Sequence, residues 1–308
     1  MKLKKPKFWD IKKPSLIAYL LLPISLIIQL LAIIKKFNSK KKYKIKCVCI
    51  GNIYIGGTGK TSLCIELNEI LKKRKFKSCF IKKFYKDQLD EQTLLKNKGK
   101  LFLSSKRSLA ASKAEKENYE IAIFDDGLQD NNIEYSSKIV CFNSINWIGN
   151  GFTIPAGPLR ESIQNLKNYD HVFINGVSRN LDIIKNQILE INPKISINIG
   201  EYMITNLNEF DKKDKFFAFS GIGNHQTFIS TAKQNGLQVV YDLEYPDHYQ
   251  YKKKDIEKIY KISSELNCEI ITTEKDYLRL KNFNLENIKF IKSKLKILNE
   301  DRLIQSII

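Results

Sequence analysis

Residues 15–34 carry no charge, and their run SLIAYLLLPISLIIQLLAII is about as long as a bilayer core requires. Six lysines precede it (Lys2, Lys4, Lys5, Lys7, Lys12 and Lys13) and seven follow by Lys46, beginning with Lys35 and Lys36. A spanning helix would drag one cluster across the membrane, against the positive-inside tendency. Pro23 sits mid-run, where it should kink or break a helix. The pattern therefore predicts two short helices lying in, or dipping into, one leaflet, with lysines on anionic head groups. A buried helical hairpin of a soluble domain is the competing reading. No small-residue cleavage site follows the run, which argues against a cleaved signal peptide.

After this basic linker the pattern changes to short apolar runs. Residues 45–50, Ile-Lys-Cys-Val-Cys-Ile, read as a buried strand rich in β-branched residues. They run into Gly51-Asn-Ile-Tyr54-Ile55-Gly56-Gly57-Thr58-Gly59-Lys60-Thr61. A helix follows, with apolar positions at Leu63, Ile65, Leu67, Ile70 and Leu71. Strand, glycine-rich turn and helix are the context of a phosphate-binding loop. Gly56, Gly57 and Gly59 let backbone N–H groups close around phosphates at a helix N-terminus. On that reading residues 54–61 bind the nucleotide, Lys60 reaches the β- and γ-phosphates, and the Thr61 hydroxyl ligates Mg²⁺. Tyr54 departs from the strict loop pattern, which has glycine at that place. The alternative is a chance glycine turn.

A second apolar strand, residues 121–124, ends in Asp125-Asp126-Gly127-Leu128-Gln129. Carboxylates at the end of a strand parallel to the loop strand are where such folds hold Mg²⁺. Alone, Asp-Asp-Gly would be only a turn. Pro155-Ala-Gly-Pro-Leu-Arg160-Glu161 is a rigid turn in which Arg160 could clamp a phosphoryl group and Glu161 could join the metal shell. A structural ion pair is the other possibility. His248 lies among aromatics in Tyr245-Pro-Asp-His-Tyr-Gln-Tyr251, and a lone His is more often structural than catalytic. Asp90 and Glu91 read by themselves as an acidic helix start.

Composition narrows the picture less than the motifs do. Across 308 residues, 52 Lys plus Arg face 33 Asp plus Glu, a formal charge of +19 that favours an anionic partner. Nearly all of the cations are lysine in a chain also rich in Asn and Ile, so compositional bias explains part of the excess. Six cysteines show no C-x-x-C pair and no zinc spacing. Several fall in apolar runs, which suits core positions in a reducing compartment.

Taken in order, seven segments resemble the tetraacyldisaccharide 4'-kinase (lipid A 4'-kinase) family. They are GNIYIGGTGKTS at 51–62, LDEQTLL at 89–95, DDGLQ at 125–129, PAGPLRE at 155–161, FSGIGNHQTF at 219–228, YPDHYQY at 245–251 and TTEKD at 272–276. The resemblance implies an α/β fold: a P-loop NTPase-like parallel sheet with helices on both faces, plus a smaller α/β/α domain. The corresponding expectation is a membrane-associating segment and basic linker at 1–44, a kinase domain at 45–205 and a smaller domain at 206–308. It also implies ATP and Mg²⁺, a tetraacyldisaccharide 1-phosphate acceptor, anionic inner-membrane lipids, and a monomer on the cytoplasmic face of that membrane.

By position the resemblance pairs Asp90 with His248 as the group that orients and deprotonates the sugar 4'-hydroxyl. Lys60, Thr61, Asp125, Asp126, Arg160 and Glu161 fall to ATP and metal. The chain departs from the family at Lys82-Lys83-Phe84-Tyr85, where Arg-Gly-Tyr is usual, at Leu89 in place of a glycine, and at Asp130 in place of a His. A regulatory ATPase of the deviant-Walker type is a rival, but its signature Lys position holds Ile55. A nucleic-acid-binding protein would need aromatic–basic recognition patterns or a groove-reading helix, and neither is evident.

Overall fold

The computed structural model describes residues 5–34, 39–86, 88–176, 178, 180–281, 283 and 287–308. Lys2, Lys4, Lys35 and Lys36, counted in the basic flanks, lie outside them.

The larger sheet is built from β1 (Lys46–Gly51), β2 (Ser78–Lys83), β3 (Leu101–Ser104), β4 (Ile121–Asp125), β5 (Ser137–Asn143), β6 (His171–Asn175), β7 (Ser196–Ile204) and β12 (Ser293–Ile297). Their order is β12-β7-β6-β5-β1-β4-β2-β3, and every pairing is parallel except β12 on β7. The continuous apolar runs seen at β1 and β4 are what a strand buried on both faces demands. Helices α2 (Lys60–Lys73), α3 (Leu89–Lys98), α4 (Arg107–Lys116) and α5 (Leu181–Ile191) cover it. β1 lies between β4 and β5, so chain crossovers leave it in both directions, and the crevice at its carboxyl end is where such sheets take ligands.

The smaller sheet, in the order β11-β10-β8-β9, is wholly parallel. It comprises β8 (Lys215–Ser220), β9 (Gln238–Glu244), β10 (Glu269–Thr273) and β11 (Ile288–Ile291), with α6 (His225–Gln234), α7 (Lys253–Leu266) and α8 (Glu274–Arg279). Separate apolar clusters fill its two faces, one around Phe216, Ala218 and Ile271, the other around Phe217, Phe219 and Ile270.

Residues 293–308, expected with the smaller unit, return to the larger sheet. β12 pairs antiparallel with β7, and α9 (Glu300–Ile307) drops Leu303, Ile304 and Ile307 onto the same cluster as Leu63 and Leu67 of α2. The physical reason is coverage. Without this return the apolar faces of α2 and of the β7 edge would meet water.

The N-terminal run also differs from expectation. It forms one helix, α1 (Leu16–Ile34), straight through Pro23. The proline removes one backbone donor, and fastenings on both sides keep the helix whole. Tyr19 packs edge-on against Phe152, with ring centroids 5.6 Å apart. Ser25 Oγ donates to Thr153 O at 3.0 Å and accepts from Ala156 N at 3.1 Å, and Gln29 bonds Thr153 Oγ1 at 2.5 Å. Ala18 and Ser25 are buried on this seam, while Leu16, Leu20, Ile24, Ile27 and Leu31 are exposed. Among the described residues no helix is long and apolar enough to cross a membrane.

Candidate active site

The glycine turn opens from β1 and closes into α2, as the spacing requires. Gly56 and Gly59 take φ values of +137° and +80°, which side chains with a Cβ rarely adopt. Asn52, wholly buried, props the turn from inside by donating to Tyr54 O and to Gly56 O, the latter at 3.3 Å. Asn175, at the end of β6, donates to Thr58 O. Tyr54 packs under Gly56, and its hydroxyl donates to Asp10 Oδ1 at 2.5 Å beside Lys5. Ile55 N donates to Pro158 O at 2.8 Å. Of the expected nucleotide-binding stretch, Tyr54 and Ile55 are thus committed to bracing the loop.

The carboxylates stand at the strand end, beside the loop. Asp125 ends β4, and Thr61 Oγ1 lies 3.3 Å from Asp125 Oδ2. Asp126 adopts φ +58°, a left-handed conformation that Asp tolerates better than most residues, next to the loop lysine. Its Oδ1 lies 3.8 Å from Lys60 Nζ and 3.1 Å from Arg160 Nη1. Arg107 holds its carbonyl at 2.5 Å. Burial opposes the charge on Asp126, but Lys60, Arg160, Lys82 and Arg107 outweigh it and lower its carboxyl pKa. Glu161 accepts from Asn165 at 2.7 Å, from Tyr169, and from Gln129 at 3.5 Å, and Gln129 in turn accepts from Arg160 at 3.2 Å.

Asp90 and His248 meet across the two sheets, with Asp90 Oδ1 and His248 Nδ1 3.6 Å apart. Asp90 is buried in the first turn of α3, and His248, at φ +55°, donates its backbone N–H to Gly221 O at 3.0 Å. Burial disfavours a charged Asp90. The neighbouring His248, Arg279 and Lys275 nonetheless hold its carboxyl well below the usual range. The neighbouring Gly57 N donates to Gly223 O at 3.2 Å, so the loop touches the smaller sheet directly.

Four further cations at this junction belong to none of the roles expected from the sequence. Lys82, 2% exposed at the end of β2, bonds Asp125 at 2.6 Å and Glu91 at 2.8 Å. Burial works against its charge, and the two carboxylates raise its pKa regardless. Lys275 reaches Glu91 at 2.9 Å, Arg279 reaches Asp90 at 2.6 Å, and Arg107 lies 3.7 Å from Asp130. The signal for them is indirect: buried carboxylates need counter-charges, and these are the nearest ones at strand and helix ends.

Asp125 Oδ1 is buried without a hydrogen-bond partner among the described residues, and it sits on the carboxylate that faces Thr61. A hard cation with oxygen ligands would satisfy it. Among the described residues no three His, Cys, Asp or Glu side chains form a cage, and a P-loop metal, which keeps waters and phosphate oxygens, does not need one.

A phosphate loop at the head of a parallel sheet, facing paired strand-end carboxylates and a basic rim, defines an ATP-using phosphotransferase of the P-loop class. The sequence matches the LpxK family, tetraacyldisaccharide-1-P 4'-kinase, over residues 17–308. The chain belongs to that family and is a kinase of lipid A biosynthesis. The tetraacyldisaccharide 4'-kinase of Pelagibacter ubique is 57% identical, over 100% of this chain and 98% of that protein. The one from Rickettsia canadensis is 36% identical, over 100% and 97%. LpxK from Aquifex aeolicus, whose crystal structure is described as an "apo" form in complex with ATP, superposes with a TM-score of 0.69. At 21% identity, covering 95% of this chain and 98% of that one, it shows the shared fold.

Proposed function

We propose that the chain transfers the γ-phosphoryl group of ATP in line to the 4'-hydroxyl of a tetraacyldisaccharide 1-phosphate, with Asp90 and His248 acting together on that hydroxyl. The observation that carries this reading is the 3.6 Å approach of His248 Nδ1 to Asp90 Oδ1 at a junction that also holds the phosphate loop. The Asp90 carboxylate and the His248 imidazole are the two groups of this pair able to accept a proton from that hydroxyl. Gly56 to Gly59 supply backbone donors for phosphate oxygens, Lys60 and Arg160 supply positive charge, and Thr61 with Asp125 and Asp126 would hold Mg²⁺. When bound, the ion neutralises charge on the β- and γ-phosphates. Most of the remaining catalysis is positioning and exclusion of water between the two sheets.

The lipid acceptor suits the opposite edge of the site. Segment 153–160 is fastened to α1 through Thr153 and Ala156 and to Asp126 through Arg160. The exposed apolar row of α1 and the flanking lysines then lie on an anionic leaflet at the cytoplasmic face, where ATP is available. Acyl chains in that leaflet would bring the sugar toward Arg160.

The test is steady-state kinetics with ATP and tetraacyldisaccharide 1-phosphate in mixed micelles, product being followed by mass spectrometry. Asp90→Asn and His248→Ala should each lower kcat by about 10²–10⁴, the usual worth of a positioned base, with ATP binding retained. Wild-type kcat in both variants would remove the pair from the mechanism.

A further inference from the structure

The Asp90–His248 pair does not hold itself together. Its two members come from different sheets, and their 3.6 Å separation is too long for a strong hydrogen bond. One side chain touches both. Arg279, in the last turn of α8 and only 5% exposed, donates Nη2 to Asp90 Oδ2 at 2.6 Å and lies 3.4 Å from His248 Nδ1. Its other branch, Nη1, bonds Gly221 O at 2.5 Å and Asp276 Oδ1 at 2.8 Å.

Gly221 O is also the acceptor for the His248 backbone N–H, so Arg279 reaches His248 by its ring and by the carbonyl that anchors its turn. Asp276 is itself pinned, accepting from Gly221 N and from Tyr251 Oη, each at 3.0 Å. The guanidinium is thus fixed on the smaller sheet and presents one edge to the larger. One turn earlier, Lys275 makes the parallel contact to Glu91.

Taking Asp90 and His248 as the base pair, on which this rests, we propose that Arg279 is a positioning residue for phosphoryl transfer, its fork holding the Asp90 carboxylate and the His248 ring in register across the two sheets. A planar fork is needed because the two branches do different work. One is spent on Gly221 and Asp276, the other on Asp90 and His248, and a lysine ammonium cannot span both. By occupying Asp90 Oδ2, the fork leaves Oδ1 as the oxygen that faces the imidazole. The charges around Asp90 are then Arg279 and Lys275 against Glu91 and Asp247, with His248 between them.

Arg279→Ala, Arg279→Gln and Arg279→Lys should be compared in the mixed-micelle assay. A misplacement of about 1 Å at the reacting group can cost about 10²-fold, so Arg279→Ala should lose rate on that scale in kcat with KM for ATP unchanged. Arg279→Lys should recover only part of the loss, and guanidinium ion added to Arg279→Ala should restore kcat in a saturable way. If Arg279→Ala fails to fold, as an ATP-dependent thermal shift would reveal, Arg279→Gln decides. A folded Gln variant with wild-type kcat overturns the proposal. So does a kcat loss in folded Arg279→Ala that guanidinium leaves unrestored, since that marks a brace for the fold. Full activity in Asp90→Asn would instead sink the base pair itself. Loss there, with wild-type kcat in Arg279→Gln, sinks only the role of Arg279.

Discussion

Lys82 occupies a position that composition would assign to the surface, yet its ammonium is enclosed between Asp125 and Glu91. Removing one partner of a buried ion pair leaves the other charge without compensation, which typically costs about 3–5 kcal/mol. Here Asp125 would lose its ion pair, while Glu91 would keep Lys275. Lys82→Met should therefore lower stability on that scale in urea unfolding, and a double variant that also neutralises Asp125 should recover part of it. An unchanged midpoint would mean that water reaches the site. The arginines tell a related story. The chain holds six; at the junction Arg160 and Arg279 bond carboxylates, and Arg107 bonds the Asp126 carbonyl and lies beside Asp130. In a chain that uses lysine almost everywhere, these three guanidinium forks each serve two acceptors at once. That rarity is legible in the amino-acid sequence, and it sets Arg107 and Arg279 apart from the many lysines around them. Lys82 gives no such sign, because one lysine among many at a strand end looks like a solvated one.

Elements are legible in proportion to their periodicity. β1, the glycine turn, α2 and β4 follow from buried runs and turn chemistry, and the structure has both strands within a residue of the expected limits, with α2 opening at Lys60 directly after the turn. α1 departs from expectation because the propensity of Pro23 takes no account of tertiary fastening: Ser25 and Gln29, polar residues in an apolar run, are the seam that docks it. The same two residues explain why one side of α1 faces protein while Leu20, Ile24 and Ile27 face outward. On the proposed reading this row meets a lipid interface, with the flanking lysines on anionic head groups. Co-sedimentation with vesicles containing anionic lipid should retain the wild-type chain, and Leu20→Asp with Ile27→Asp should release it. ATP binding should survive, since neither side chain lies at the phosphate loop. Retention of the double variant on vesicles would assign membrane contact elsewhere.

For the whole molecule, the two sheets are one working unit only while they touch, and that relation has no local signature. Periodicity cannot say that residues 293–308 turn back to the larger sheet, because β12 and α9 look like any strand and helix until their partner is known. Nor can it place Gly223 against the phosphate loop. That contact is close: a Cβ on Gly223 would lie 2.3 Å from Gly57 N, and one on Gly57 would lie 2.8 Å from the Gly223 carbonyl carbon. Both neighbours are backbone, so neither can move aside without shifting its sheet. Gly57 N now donates to Gly223 O, while a bound nucleotide would claim that same N–H for a phosphate oxygen. The two acceptors compete for one donor, and the smaller sheet must settle around the nucleotide with little room to spare. Gly223→Ala should hold the sheets apart by roughly the added methyl. ATP binding, measured by calorimetry, should stay at wild-type strength or tighten, because the competing carbonyl is pushed away. Turnover should fall by about 10²-fold, because His248 is carried away from Asp90 by a distance of about 1 Å. Weaker ATP binding with unchanged turnover would show instead that Gly223 serves the nucleotide directly and that closure tolerates the methyl.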